Sequence, residues 1–464
     1  MSVLDQEDLA KAGKGIHKAY TLFVAFVAAM GGFLFGYDLV IIAGAQIFVR
    51  KEFHLNDAQF GFATSSAILG CIAGPFVGAW LCDWIGRKTT LILAGILFAV
   101  GAIGTALPHD IITFNIFRIV GGLGVGFASI ASPMYIVEVA PARMRGRLGL
   151  MYQLAICVGA LISVVVAYNL ARMLPESVSW RWMFASTLVP VVGFLTCLPF
   201  LPQSPRWLAS RNRCEEAMKV FARIGGPDYA RTELEGIKES LEEERGSFGE
   251  LLQPGFRRAL VVGVLLALFN NWTGWSGIAY YLPTLFQKAG FVAASDAIYQ
   301  SVYIFAGNIV LTLIAIWMVD RFGRRPLWIV TSAAMACSLT IAGMVFHNNM
   351  TGLMIVLVIF LCAAPHCIGL GPLPWLMMSE IYPTRIRARA VALSTTFLWF
   401  AGFTGPLAFP KIAAVSEKMI GSIAGLFWMY AVICVFAFIF GIKLLPETKG
   451  KTLEDITKSI LMRH

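Results

Sequence analysis

The chain has 464 residues, 58% of them hydrophobic and only 14% charged, with a formal net charge of +10. Typical soluble domains carry about 25% charged residues, so a soluble fold that hides this much apolar surface is excluded. A basic balance would suit a nucleic-acid partner, but here the placement of the charge argues against one.

Twelve apolar stretches begin near Tyr20, Gly61, Leu91, Ile112, Leu150, Arg181, Ala259, Ile298, Leu327, Gly352, Val391 and Ser422. Each is close to the roughly 20 residues that cross a bilayer. They predict an all-α integral membrane protein of twelve transmembrane helices. Alternation, the mark of a barrel, is missing from these runs, and a long helix satisfies its own backbone within lipid. The 44 glycines suit helices that pack closely without a hydrophobic drive. The first eighteen residues are polar, so no cleavable signal peptide is expected ahead of the first span.

Within the first span, "GGFLFGYDLVII" carries Asp38. A carboxylate at mid-membrane is costly unless paired, hydrated or protonated, so its default reading is functional. The candidate partner is Arg118 of "NIFRIVGG", the charged residue of the fourth span. Such a pair can couple to a proton, because a nearby arginine favours the charged carboxylate and burial favours the neutral one. One charge moved through about 100 mV yields roughly 2.3 kcal/mol. At about 1.4 kcal/mol per tenfold, that supports a gradient on the order of fifty-fold. The alternative is a static ion pair that ties two helices together.

The basic residues Arg87, Lys88, Arg143, Arg145, Arg147, Arg321, Arg324, Arg325, Arg385, Arg387 and Arg389 fall in four short loops on one side. Twelve spans put both termini and the long central segment on that side too. The positive-inside rule makes it cytoplasmic. From Pro202 to Gly255 the apolar pattern stops, and the mixed charges of Glu233 to Arg245 read as short solvated helices.

This segment separates two repeats. "DWIGRK" from Asp83 matches "DRFGRR" from Asp320, 237 residues on; "EVAPARMR" from Glu138 matches "EIYPTRIR" from Glu380, 242 residues on; "PQSPR" from Pro202 has a weaker echo in "PETKG" from Pro446. A duplicated unit follows: an N-terminal six-helix bundle over 1–201, a linker over 202–256, a C-terminal six-helix bundle over 257–446 and a tail over 447–464. Parallel repeats with a substrate site near mid-membrane are the plan of an alternating-access transporter. The acids Glu138 and Glu380, with Arg145 and Arg387 seven residues beyond each, are candidates for a cytoplasmic gate with Asp83, Arg87, Arg206, Asp320, Arg321 and Arg324. Partly exposed pairs of this kind are each worth about 0–1 kcal/mol, which suits a switch; charge that only sets topology is the other reading.

"GGFLFGYD", "RIVGGLGVGFAS", "PMYIVEVAPARMRGRL", "PQSPRWL", "VDRFGRRP", "GPLPWLMMSEIYPTRIRA" and "PETKG" together resemble the sugar porter family of the major facilitator superfamily, over nearly the whole chain. The resemblance is to its bacterial proton-coupled branch. It implies two six-helix bundles, transport of a monosaccharide or polyol, and short cytoplasmic helices between the halves. It also places Asp38 beside Arg118; facilitative members generally carry a neutral residue where Asp38 stands.

For the substrate, the resemblance marks Gln153 in the fifth span, Asn270 and Asn271 where paired glutamines are usual, Ser276 where an asparagine is usual, Trp375 in the tenth span and Trp399 in the eleventh. Tyr280 follows in the seventh span, and Asn308 in the eighth is a possible further contact. Amides with an aromatic wall suit a sugar, which is polar on its edges and apolar on its faces. Ala160, Leu398 and the shorter asparagines depart from the family pattern, so the pocket offers fewer and shorter amides and the resemblance does not assign glucose or xylose as the substrate. Trp84 and Gln203 leave the N-half cytoplasmic contacts one arginine and one acid short.

The expected activity is proton-coupled symport of a sugar or polyol, with the proton, the substrate and the lipid bilayer as partners and no nucleic acid. Alternatives are a uniporter, a carrier of a cyclitol or small organic acid, and, ranked low, a sugar-sensing membrane receptor. The nine cysteines and sparse histidines form no convincing metal set; His366, within a span, reads as packed or hydrogen-bonded. No nucleophile, cofactor loop or metal cluster suggests an enzyme. The expected location is a cell membrane, bacterial and inner, with both termini cytoplasmic.

Overall fold

A computed structural model describes residues 17–141, 144–243, 250–251, 253–382 and 386–449. Twelve helices in it are long and apolar enough to cross a membrane: Lys18–Glu52, Asp57–Ile85, Arg87–Ala106, Ile111–Val139, Gly146–Met173, Glu176–Phe200, Phe256–Tyr280, Ala294–Val319, Arg324–His347, Leu353–Glu380, Arg389–Ile420 and Ala424–Lys443. They are the predicted spans in the predicted order, each starting within a few residues of the expected position.

Local chemistry sets several boundaries. Asn56 and Gln59 form a reciprocal capping box that opens the second span, and Asp110 caps the fourth by accepting from the Thr113 N–H. Between the second and third spans, Gly86 turns the chain at φ 87; its counterpart Gly323 does so at φ 88 between the eighth and ninth. Both positions favour glycine for that reason. A Cβ there would also lie 2.5 Å from the Gln203 side chain at Gly86, and 2.8 Å from that of Glu447 at Gly323.

Among the described residues, two α-helices lie between the sixth and seventh spans. Pro205–Ser210 is short, as expected, but Cys214–Glu243 is 30 residues long, broken where Gly226 adopts φ 85 ahead of Pro227. Gly226 and Pro227 interrupt one amphipathic segment that the charge pattern alone read as several pieces.

The first six spans and the last six meet through the second span on the eleventh, the fifth on the eighth and the first on the seventh. Many of the named contacts lie toward the ends away from the Arg-rich loops. Gln46 Nε2 donates to the Tyr280 carbonyl at 2.7 Å; Phe60 packs edge-on to Tyr281, Phe62 on Phe403 and Tyr168 against Tyr299. At Gly61 the approach is backbone to backbone, since a Cβ would sit 2.2 Å from the Leu407 oxygen. The molecule is shut on that side.

Candidate functional site

Asp38 and Arg118 meet as their sequence implied, and both are buried, at 4% and 2% exposure. Their contact is loose. Arg118 Nη1 donates to the Asp38 backbone oxygen at 3.2 Å and to Oδ2 at 3.4 Å, while Nε and Nη2 find no partner among the described residues. The guanidinium also lies 5.3 Å from the Phe184 ring centre. Tyr280, from the other half, is within electrostatic reach of both groups. Neutralising one member of a buried pair leaves the other charge uncompensated, so a proton on Asp38 would require Arg118 to find another partner, and its two bare donors are free to take one.

The seventh-span asparagines behave differently from expectation. In the tenth span, Pro374 has no N–H to give the Leu370 carbonyl four residues earlier, and the helix widens into a π segment over His366–Leu370. Asn270 fills the gap: its Nδ2 donates to the Leu370 oxygen at 3.0 Å and the Gly371 oxygen at 2.9 Å. Its Oδ1 accepts from Asn271 Nδ2, which also donates to the Leu398 carbonyl. An amide has only two N–H donors, so Asn270 has none left for a substrate and Asn271 keeps only its oxygen. Tyr281 is spent in the same way, donating to the Pro406 carbonyl whose helical donor would have been Pro410. Side chains one methylene shorter than glutamine remain with the backbone.

Gln153 is exposed, and among the described residues its polar contact is a long 3.9 Å to Cys157 Sγ. Trp375 is 39% exposed and Ser276 half-buried. Trp399 is buried against Phe35, with ring centres 5.5 Å apart and Nε1 unpartnered. Asn308 is buried with Oδ1 bare. Trp272 is a packing residue that donates Nε1 to Thr404 Oγ1. Sequence reasoning set His366 aside, yet its Nδ1 is buried and has no partner among the described residues. Its signal was the Pro-rich "APHCIGLGPLP" around it, which disfavours a regular helix.

The model of the "Sugar (and other) transporter" family matches residues 24–459. The chain belongs to this family. It is 38% identical over 449 residues to the arabinose-proton symporter of Bacillus subtilis, covering 95% of each chain. It is 35% identical to the D-xylose-proton symporter of Escherichia coli, covering 95% of this chain and 96% of that one. The xylose transporter XylE of E. coli in an inward-open conformation superposes with a TM-score of 0.84 at 32% identity, over 95% of this chain and all of that one. The fold is that of the major facilitator superfamily, a multi-pass membrane protein of two six-helix bundles.

In this transporter the repeated phrases build the same brace twice. Arg87 gives Nε and Nη2 to Glu138 Oε1, the latter at 2.8 Å, and Ser204 Oγ donates to Glu138 Oε2 at 2.5 Å. In the second repeat Arg324 gives Nη2 to Glu380 Oε1 at 2.9 Å, and Thr448 Oγ1 donates to Glu380 Oε2 at 2.6 Å. Ser204 and Thr448 were not picked out from sequence, although the weak "PQSPR" and "PETKG" echo holds them in register. The expectation of partly exposed pairs is corrected for the first repeat: Arg87 and Glu138 side chains are 7% and 8% exposed, against 15% and 22% for Arg324 and Glu380. Each brace ties one half to the segment that follows it, Ser204 lying at the start of the linker and Thr448 in the tail.

The other members of the expected gate are spread around these braces. Asp83 is largely exposed and meets Arg87 Nη1 at 3.3 Å. Arg321 lies 5.0 Å from the Trp317 ring centre, Arg387 Nε donates to the Tyr382 carbonyl, and Arg206 is half-buried. The side chains of Arg145 and Asp320, like Arg143 and Arg385, lie outside the described residues. Gln203 accepts fewer bonds than an acid would: its oxygen takes the Lys88 N–H at 3.0 Å and the Ser204 N–H at 3.3 Å, where Glu447 accepts from Arg324, Arg325, Thr448 and Lys449 N–H groups. Burial raises the Glu447 pKa, and these four donors outweigh it, holding the carboxyl below its ordinary range. Trp84 stacks on Trp80 at 5.0 Å in place of the expected arginine.

Proposed function

We propose that this protein is a proton-coupled symporter of a monosaccharide or related polyol, working by alternating access between its halves, 1–201 and 257–446. The observation that carries the reading is the buried, loosely joined Asp38–Arg118 pair in a chain similar to an arabinose-proton and a xylose-proton symporter. Proton binding at Asp38 releases Arg118 and lets the loaded protein turn inward. Gln153, the Asn271 oxygen, Ser276, Asn308, Trp375 and Trp399 form the substrate site, with Asn270 as its support. The Arg-rich side, with both termini, is cytoplasmic by the positive-inside rule, and the membrane is a bacterial inner membrane.

The test is external pH in a lightly buffered suspension of expressing cells, given pentoses, hexoses, hexitols, inositols and sugar acids one at a time. One of them should alkalinise the medium, and Asp38→Asn should abolish that response and uphill uptake while labelled-for-unlabelled exchange continues. Uphill uptake persisting in Asp38→Asn would sink the coupling role. Exchange without alkalinisation in the unaltered protein would make it a uniporter.

A further inference from the structure

We propose that His366 is a specificity-determining ligand of the substrate, its Nδ1 hydrogen-bonding to one substrate hydroxyl. This rests on the sugar-transport reading above. His366 stands at the middle of the tenth span, as the first residue of the π segment. Single π turns in helices often mark functional positions, because they displace one side chain from the regular helical face. The displacement is held within the helix by the His366 carbonyl, which accepts the Gly371 N–H at 2.7 Å, and from outside it by Asn270, which donates to the carbonyls of Leu370 and Gly371.

The ring lies beside that of Trp275, with centres 6.1 Å apart, and the residue is only partly buried, so one part of it reaches open space while Nδ1 is enclosed. A polar atom enclosed without a partner costs on the order of 1–3 kcal/mol, a cost offset when a bound hydroxyl supplies the bond. The eighth span packs against the π segment and brings Asn308, whose Oδ1 is bare in the same way. With both N–H donors of Asn270 given to backbone and those of Asn271 to Asn270 and Leu398, the donors that paired seventh-span amides would offer a sugar are gone, and Gln153, Asn308 and His366 stand with the Asn271 oxygen in their place. An imidazole nitrogen is a single donor or acceptor according to tautomer, so it reads one hydroxyl where an amide reads two. A site built to pair a hydroxyl discriminates strongly against an analogue lacking it.

The experiment uses the full chain in proteoliposomes and measures labelled exchange for D-xylose, L-arabinose, D-galactose and D-glucose. For the best of these, each monodeoxy analogue follows, in the unaltered protein, His366→Phe and His366→Gln. His366→Phe should raise KM about ten- to hundredfold for the parent sugar and leave it nearly unchanged for one monodeoxy analogue. His366→Gln should recover part of the affinity, and protons moved per sugar should stay constant throughout. If His366→Phe fails to fold, the analogue series on His366→Gln decides, by a changed ranking of the analogues. A KM that stays constant for every sugar, or rises equally for the parent and all analogues, overturns the proposal. If the unaltered protein exchanges none of these sugars, nor any hexitol, inositol or sugar acid of the wider panel, the transport reading is overturned with it.

Discussion

At 3.4 Å the contact between Arg118 and Asp38 exceeds the 2.7–2.9 Å or so of a charge-assisted hydrogen bond. A longer contact is a weaker tie, which suits the proton coupling proposed for Asp38. Gln153 belongs to the same scale, because its amide has little else to bond. Gln153→Ala should raise the exchange KM about tenfold or more with little change in melting temperature; a large drop in melting temperature would make it a structural residue instead. Asp38 and Arg118 were legible in the sequence because a charge in an apolar run has few explanations. The backbone bonds of Asn270 were not legible, because position shows which amide is present and says nothing of which carbonyls a distant proline has orphaned.

At the scale of elements, the seventh and tenth spans depend on each other. Asn270→Ala would strip donors from two carbonyls and should lower stability by roughly 1–3 kcal/mol for each group left unsatisfied. A thermal melt in detergent checks this against Gln153→Ala, which should melt near the unaltered protein; equal melting would mean that the π segment holds itself. The ninth span depends on Glu447, whose folded pKa is depressed. Its contribution is therefore present above the unfolded carboxylate value of about 4.3 and lost as pH falls through the folded one. Acid should weaken the tail contact in the unaltered protein and have less effect in Glu447→Gln, read as protease cleavage after Lys449. The spans themselves were legible from apolar length, whereas the kinked linker helix was not, since Gly226 and Pro227 signal a break without showing that the helix resumes.

For the whole molecule, duplication was the clearest message of the sequence, and its physical form is an arginine–glutamate pair inside each half, bonded by a hydroxyl from the segment that follows it. Halves tied internally can rock as bodies. Which side is shut was not legible, since that depends on how the two units lean. Gly61 tests the closure: Gly61→Val would put a side chain against the Leu407 carbonyl, hold the outer side open, and abolish exchange while external sugar still binds. Exchange at the normal rate would show that the seam has room to spare.

That seam has a further consequence. Around it, Arg50 pairs with Asp57 within the first half and Lys288 with Glu417 within the second. Across it run backbone packing, aromatic edges and the Gln46 amide. Ionic strength screens exposed charges and leaves packed neutral contacts nearly untouched, so high salt will alter each rim without prising the rims apart. The outer closure is accordingly built to hold equally well in dilute and in briny surroundings.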